Sequence, residues 1–291
     1  IYEGVLMKKL CALTLIFILL LTAAGSGCAD KASSGPVSED PVSNPESGQV
    51  PENPENPFEG KELSVCAGAG LIKPMNELVS GFENRTGADI QVRYGGSAEI
   101  FGILVAQECD VFIPGAYYYT GQAMGRHYVF NESVTNLTLH IPVIAVPRGN
   151  PGNISGLEDL AKPGIKLALG DPKGPAIGKV AEKICGNCGI LPDVESNTIV
   201  RTATVNQLLI YIVTGQADAT IIWEDMANWG EASGKLETIP IPAEQNSIKT
   251  IPTAVSVYTE EPELAEAFNT YIASEEAAAS WEKWGFKPCS S

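Results

Sequence analysis

From Lys61 onward, apolar runs of strand length alternate with amphipathic runs of helix length, and this order constrains the fold more than any other feature. "ELSVCAGAG" (62–70) reads as a buried strand with a glycine-rich exit, and "IKPMNELVSGFENRTG" (72–87) as an amphipathic helix closed by Gly87. "DIQVRY" is the next strand, "SAEIFGILVAQ" the next helix and "CDVFIPG" a third strand. A βαβαβ series of this kind sets its strands side by side in parallel through right-handed crossovers. A second series follows in "IKLALGDP", "AIGKVAEKI", "TIVRTAT", "VNQLLIYIVTGQ" and "DATIIWED". The expected fold class is α/β, with two lobes built on mostly parallel sheets.

Two segments flank the second series and resemble each other: "HIPVIAVP" (140–147) and "TIPTAVSV" (250–257). Each runs Ile-Pro into alternating apolar residues. A chain that leaves one lobe along such a strand and returns along a matching one has a two-strand hinge, which permits closure around a ligand. The expected lobes are 61–142 plus 253–291, and 143–252. Two helices, "EEPELAEAFNTYI" and "SEEAAASWEKWGF", end the chain, the second capped by Ser274.

The first sixty residues have a different character. Met7-Lys8-Lys9 and the apolar run 10–24 read as the basic and apolar regions of a signal segment (1–28), with residues 1–6 set aside as preceding the start. The apolar run is shorter than the ~20 residues a membrane span needs. It ends in "GSGC", which makes Cys28 the lipid-attachment residue. Residues 29–60 are rich in Pro, Ser, Asn and Glu and poor in large apolar side chains, so they cannot offset the entropy of ordering and read as a disordered tether. The expected location is extracytoplasmic and membrane-anchored.

The net charge of −16 excludes nucleic acid as a partner, because phosphate contacts require clustered Lys and Arg. It does not forbid a local anion site, since exposed charge is screened beyond about 8 Å at physiological salt. Of seven cysteines, Cys11 lies in the signal segment and Cys185-x-x-Cys188 follows a helix-like run. That placement reads as a local disulfide or a helix-end turn, not as a redox site. A metal site there would need two more ligands, and none has suitable spacing.

In open parallel sheets, ligands bind beyond the carboxyl ends of the strands. Small polar segments gather there: Gly68-Ala69-Gly70, Gly95-Gly96-Ser97, "GDPKGPA" (170–176), "TATVN" (202–206) and "WED" (223–225). Three of them open helices, at Ser97, Ala176 and Val205. Unsatisfied N–H groups and the positive dipole end make each opening an anion site. One helix terminus contributes only about 0.3–2 kcal/mol, so a useful affinity requires several donors converging in a closed cleft.

These segments, taken in order from "VCAGAGLIKPMNELVSGFENRTG" through "VRYGGSAEI", "GIKLALGDPKGPAIG" and "RTATVNQLL" to "SEEAAASWEKWGF", resemble the molybdate- and tungstate-binding proteins of ABC importers. The resemblance covers 61–288. It implies the type II periplasmic-binding-protein fold, two lobes joined by two hinge strands. Ser97 matches that family's ligand-binding serine, while Ala69 and Gly70 stand where the first-loop serine would be. Gly96 flanks Ser97, and Ala176 and Val205 match positions that donate backbone N–H. Trp223 falls where many members carry a tyrosine. Asp171 and Glu224 resemble a carboxylate pair that coordinates the metal centre directly in archaeal members.

The resulting expectation is a monomeric lipoprotein, free of cofactor, that binds molybdate or tungstate and hands it to a membrane permease. A binding protein for another ligand is the alternative. Adjacent Tyr117, Tyr118 and Tyr119 can bind ferric iron, and sulfate, phosphate or an organic acid also fit the loops. His127 and His140 read as structural. No Ser–His pair, metal cluster or phosphate-binding lysine loop is evident in the sequence, which argues against an enzyme.

Overall fold

A computed structural model describes residues 56–289 of the 291-residue chain. The signal segment, Cys28 and nearly all of the tether lie outside the described residues. The last five tether residues do not extend away: Phe58 packs on the core beside the first helix, and its N–H donates to the Thr86 carbonyl (2.9 Å).

The first sheet is built from β1 (Glu62–Gly68), β2 (Asp89–Gly95), β3 (Val111–Ile113), β4 (Thr135–His140) and β10 (Lys249–Val255), in the order β2-β1-β3-β10-β4. Both its faces are covered, so alternate residues enter different clusters. Leu63, Val65 and Ala67 meet α1 (Ile72–Thr86), α7 (Pro262–Ile272) and α8 (Glu275–Lys283). Cys66 and Phe112 meet α2 (Ser97–Val105) and α3 (Tyr117–Gly125) on the other face. Gly87 closes α1 at φ +72°, and Ser274 Oγ caps α8 by accepting from the Ala277 N–H (3.2 Å).

The second core is a separate cluster, from Val143 to Ile241. Its strands are β5 (Pro142–Pro147), β6 (Leu167–Gly170), β7 (Thr198–Thr202), β8 (Thr220–Trp223) and β9 (Leu236–Pro240). Its helices are α4 (Ala176–Asn187), α5 (Leu191–Asn197) and α6 (Val205–Val213). β6 and β7 pair in parallel, β5 lies between β8 and β9, and a single bridge, Leu167 to Ala219, links the two sets. The resulting order, β7-β6-β8-β5-β9, repeats that of the first sheet.

The sheets are mixed, which corrects the expectation of mostly parallel strands. β1–β2, β1–β3 and β6–β7 are parallel, whereas β3–β10, β10–β4, β5–β8 and β5–β9 are antiparallel. The reason is how β5 and β10 arrive. Each enters its sheet from the other core, with no helical crossover to force it parallel. The two Ile-Pro segments therefore hold equivalent places in two sheets and do not pair with each other. The chain crosses outward at Ile141 and returns through residues 241–248, so the boundary expected at residue 252 lies inside β10. Asn246 ties the crossings together, its amide donating to the Pro142 carbonyl (3.0 Å). No helix among the described residues is long and apolar enough to cross a membrane. All five cysteines of the described residues are free thiols, and Cys185 and Cys188 form the end of α4.

Candidate functional site

The carboxyl ends of β1, β2, β3, β6, β7 and β8 converge on one cavity of about 20 Å³. That exceeds the roughly 10–15 Å³ that admits a single water, and suits one compact polar group. Ala69, Gly70, Gly96, Ser97, Ala176, Val205 and Trp223 all line it, together with Gly115 and His140. No Lys, Arg, Asp or Glu is among its lining residues. Its polarity comes from the starts of α2, α4 and α6, whose first N–H groups have no acceptor within their own helices.

Some of those donors are already engaged. The Gly96 N–H donates to Glu99 Oε2 (3.3 Å) and the Ala98 N–H to the Gly174 carbonyl (3.3 Å). Ser97, only 3% exposed, differs. Its Oγ accepts from the Gly115 N–H (3.3 Å), which leaves the hydroxyl proton to be donated. The Gly115 carbonyl in turn lies 2.9 Å from His140 Nδ1. A carbonyl only accepts, so Nδ1 carries a proton.

His140 Nε2 lies 3.3 Å from Asp225 Oδ1, and both side chains are buried. The imidazole stacks on Trp223, with ring centroids 3.7 Å apart and planes 15° apart. Burial pushes the Asp225 carboxyl above its ordinary value, and the hydrogen bond to His140 opposes this. A connected series thus runs from Ser97 through Gly115 and His140 to Asp225. In the sequence His140 reads as structural, and Asp225 stands inside "WED" with no signal of its own. Strand pattern could not have found it: β8 is buried at all four positions and ends at Trp223, and a 3-10 turn over Glu224–Asn228 is what carries Asp225 inward.

Asp171 and Glu224 are not brought to the cavity. Asp171 Oδ1 accepts from the Lys173 N–H (2.8 Å), and the Asp171 carbonyl accepts from the Gly174 N–H (2.9 Å). This is the Asp-Pro turn before α4, in which the carboxylate closes the loop. Glu224 Oε2 pairs with Lys287 Nζ at 2.8 Å, near the C-terminal end of the described chain. Among the described residues no three His, Cys, Asp or Glu side chains group to hold a metal ion. Arg201 is held by Glu195 and the Gly170 carbonyl.

Tyr117, Tyr118 and Tyr119 open α3. Tyr119 packs on Phe101 (5.2 Å between centroids), and all three line a second cavity of about 290 Å³. The two cavities share Pro175 and Ala176 as a common wall.

Comparison with known proteins places this arrangement. A putative binding protein of Haemophilus influenzae is 31% identical over 182 residues, 62% of this chain and 73% of its own length. The molybdate-binding protein ModA of Mycobacterium tuberculosis H37Rv is 24% identical over 239 residues, 80% of this chain and 88% of that protein. Among solved structures, the sulfate-binding protein SubI of M. tuberculosis H37Rv superposes with a TM-score of 0.72 at 18% identity, covering 78% of this chain and 87% of that one. That likeness shows the periplasmic-binding-protein fold. The family model for bacterial extracellular solute-binding proteins matches residues 63–287. The chain belongs to the bacterial extracellular solute-binding protein family, whose members bind solutes and are not enzymes.

Proposed function

We propose that this protein captures a compact oxyanion, with molybdate and tungstate the first candidates, and delivers it to an ABC importer while Cys28 holds it to the membrane. The observation that carries the reading is Ser97, whose hydroxyl is fixed as an acceptor by Gly115 and is left to donate where three helix starts converge. Neutral, oriented donors stabilise an anion with no counter-charge to be desolvated when the site is unfilled. The resemblance to ModA-type proteins along the whole folded chain supports the same choice.

Sulfate or phosphate is the second reading, and one observation favours it. Asp171 and Glu224 are both engaged elsewhere and no carboxylate among the described residues lines the cavity, which favours selection by cavity size and donor number. Titration calorimetry with molybdate, tungstate, sulfate and phosphate tests both readings. The first predicts molybdate and tungstate bound at least tenfold more tightly than sulfate, and the second predicts the reverse order. In either case Ser97→Ala weakens the preferred ion at least tenfold, as expected for one hydrogen bond to a charged group, about 1.5–3 kcal/mol. No binding of any of the four ions overturns the oxyanion assignment.

A further inference from the structure

The cavity around Ser97 adjoins a larger groove of about 290 Å³, the two sharing Pro175 and Ala176 among their lining residues. One face of α4 builds one side of that groove. Ala176, Lys179, Val180 and Lys183 follow the i, i+3, i+4, i+7 spacing, so the helix whose first residue lines the small cavity carries two lysines onward from it. Lys249, at the start of β10, adds a third from the return crossing.

None of the ion pairs among the described residues involves Lys179, Lys183 or Lys249. In a chain with 35 acidic and 19 basic residues, three cations sharing one groove without a carboxylate are conspicuous. They also repel one another: burial, and then the neighbouring Lys183, hold Lys249 below the ordinary lysine value. The opposite wall is aromatic. Tyr117 and Tyr118 are about half exposed there, and Lys179 Nζ sits 3.9 Å from the Tyr118 ring centroid.

We infer that the site also takes phosphorylated organic anions, with the phosphate in the Ser97 cavity and the apolar body and a second anionic group in the Tyr117–Lys179 groove. The inference rests on the oxyanion reading of the small cavity and extends it. Bare oxyanions and the phosphate of such an ester share the Ser97 cavity. The groove walls supply the rest: a flat or aliphatic body lies against Tyr117, Pro175 and Val180, and a carboxylate meets the lysines.

The test is calorimetry with 4-carboxyphenyl phosphate, inorganic phosphate, molybdate and 4-hydroxybenzoate, on the protein and on a Lys179→Ala/Lys183→Ala/Lys249→Ala variant. These lysines are exposed or half-buried, so the variant folds. The ester is expected to bind at least tenfold more tightly than inorganic phosphate. The triple variant should cost the ester tenfold or more and leave inorganic phosphate within about twofold. Equal affinity for ester and phosphate, equal loss of both in the variant, or 4-hydroxybenzoate binding as tightly as its phosphate ester would each overturn the inference. If the bare ions bind and the ester does not, the inference alone fails. If neither binds, the oxyanion reading falls and takes the inference with it.

Discussion

Hydrogen bonds join Ser97, Gly115 and His140 along the wall of the small cavity, and Asp225 stands behind them, 3.3 Å from His140 Nε2. Two carboxylates show how differently buried acids respond to pH. Asp225 has its folded value raised, mainly by burial. Its ionised form is therefore disfavoured in the folded state, and lowering the pH from neutrality towards the ordinary value of 3.8 relieves the penalty. In denaturant titrations across that range, the stability of the wild type relative to Asp225→Asn should improve on acidification. Asp159 is the opposite case. Lys162, then the Ser155 hydroxyl and N–H, hold its carboxyl well below the ordinary range. Its contribution is full above 3.8 and is lost as the pH falls below it. Asp159→Asn should cost about 1 kcal/mol at neutral pH, with the difference vanishing in strong acid. Asp171→Asn and Glu224→Gln, in contrast, should leave oxyanion affinity within about twofold by calorimetry, because neither side chain lines the cavity.

Helix α4 is placed by glycine contacts. A Cβ on Gly178 would lie 2.3 Å from the Asp171 carbonyl oxygen, and one on Gly170 would lie 3.0 Å from the Gly178 backbone. The helix start is pressed against the exit of β6, which is what aims Ala176 at the cavity. Gly178→Ala should destabilise the fold by about 1–3 kcal/mol or more, read by urea denaturation, because backbone on both sides must shift. The helices that deliver the site were legible in the sequence because "SAEIFGILV", "AIGKVAEKI" and "VNQLLIYIV" carry helical periodicity behind small polar starts. The helix of "YYYTGQAMG" was not, since tyrosines favour strands locally and only the packing of Tyr119 on Phe101 settles the matter. The direction of β5 and β10 was equally hidden, because an apolar strand reads the same whichever way its neighbours run. Which acid of "WED" is buried was hidden for another reason: the strand ends at Trp223, and the 3-10 turn that carries Asp225 inward has no periodic signature in three residues.

The two cores meet at backbone. The Ala98 N–H donates to the Gly174 carbonyl, and a Cβ on Gly96 would stand 2.7 Å from the Ala203 carbonyl oxygen. Gly96 has φ −64°, a value any residue adopts, so alanine there is barred by the opposite core and not by its own conformation. Gly96→Ala should leave thermal stability nearly unchanged, weaken solute binding by tenfold or more and keep the protein more extended in small-angle scattering with solute present. A tenfold loss corresponds to about 1.4 kcal/mol. The same contact has a consequence in time. The 20 Å³ cavity is walled by both cores, with Gly96 against Ala203, so its donors surround a solute only once the cores have closed on it. Capture must wait for that closing, and closing is a property of the two crossing segments, the same for every solute. In stopped-flow mixing, the association rate should then level off at one plateau for molybdate, sulfate or a larger anion. Solutes of different affinity would differ in how long they keep the protein shut, and not in how fast they enter.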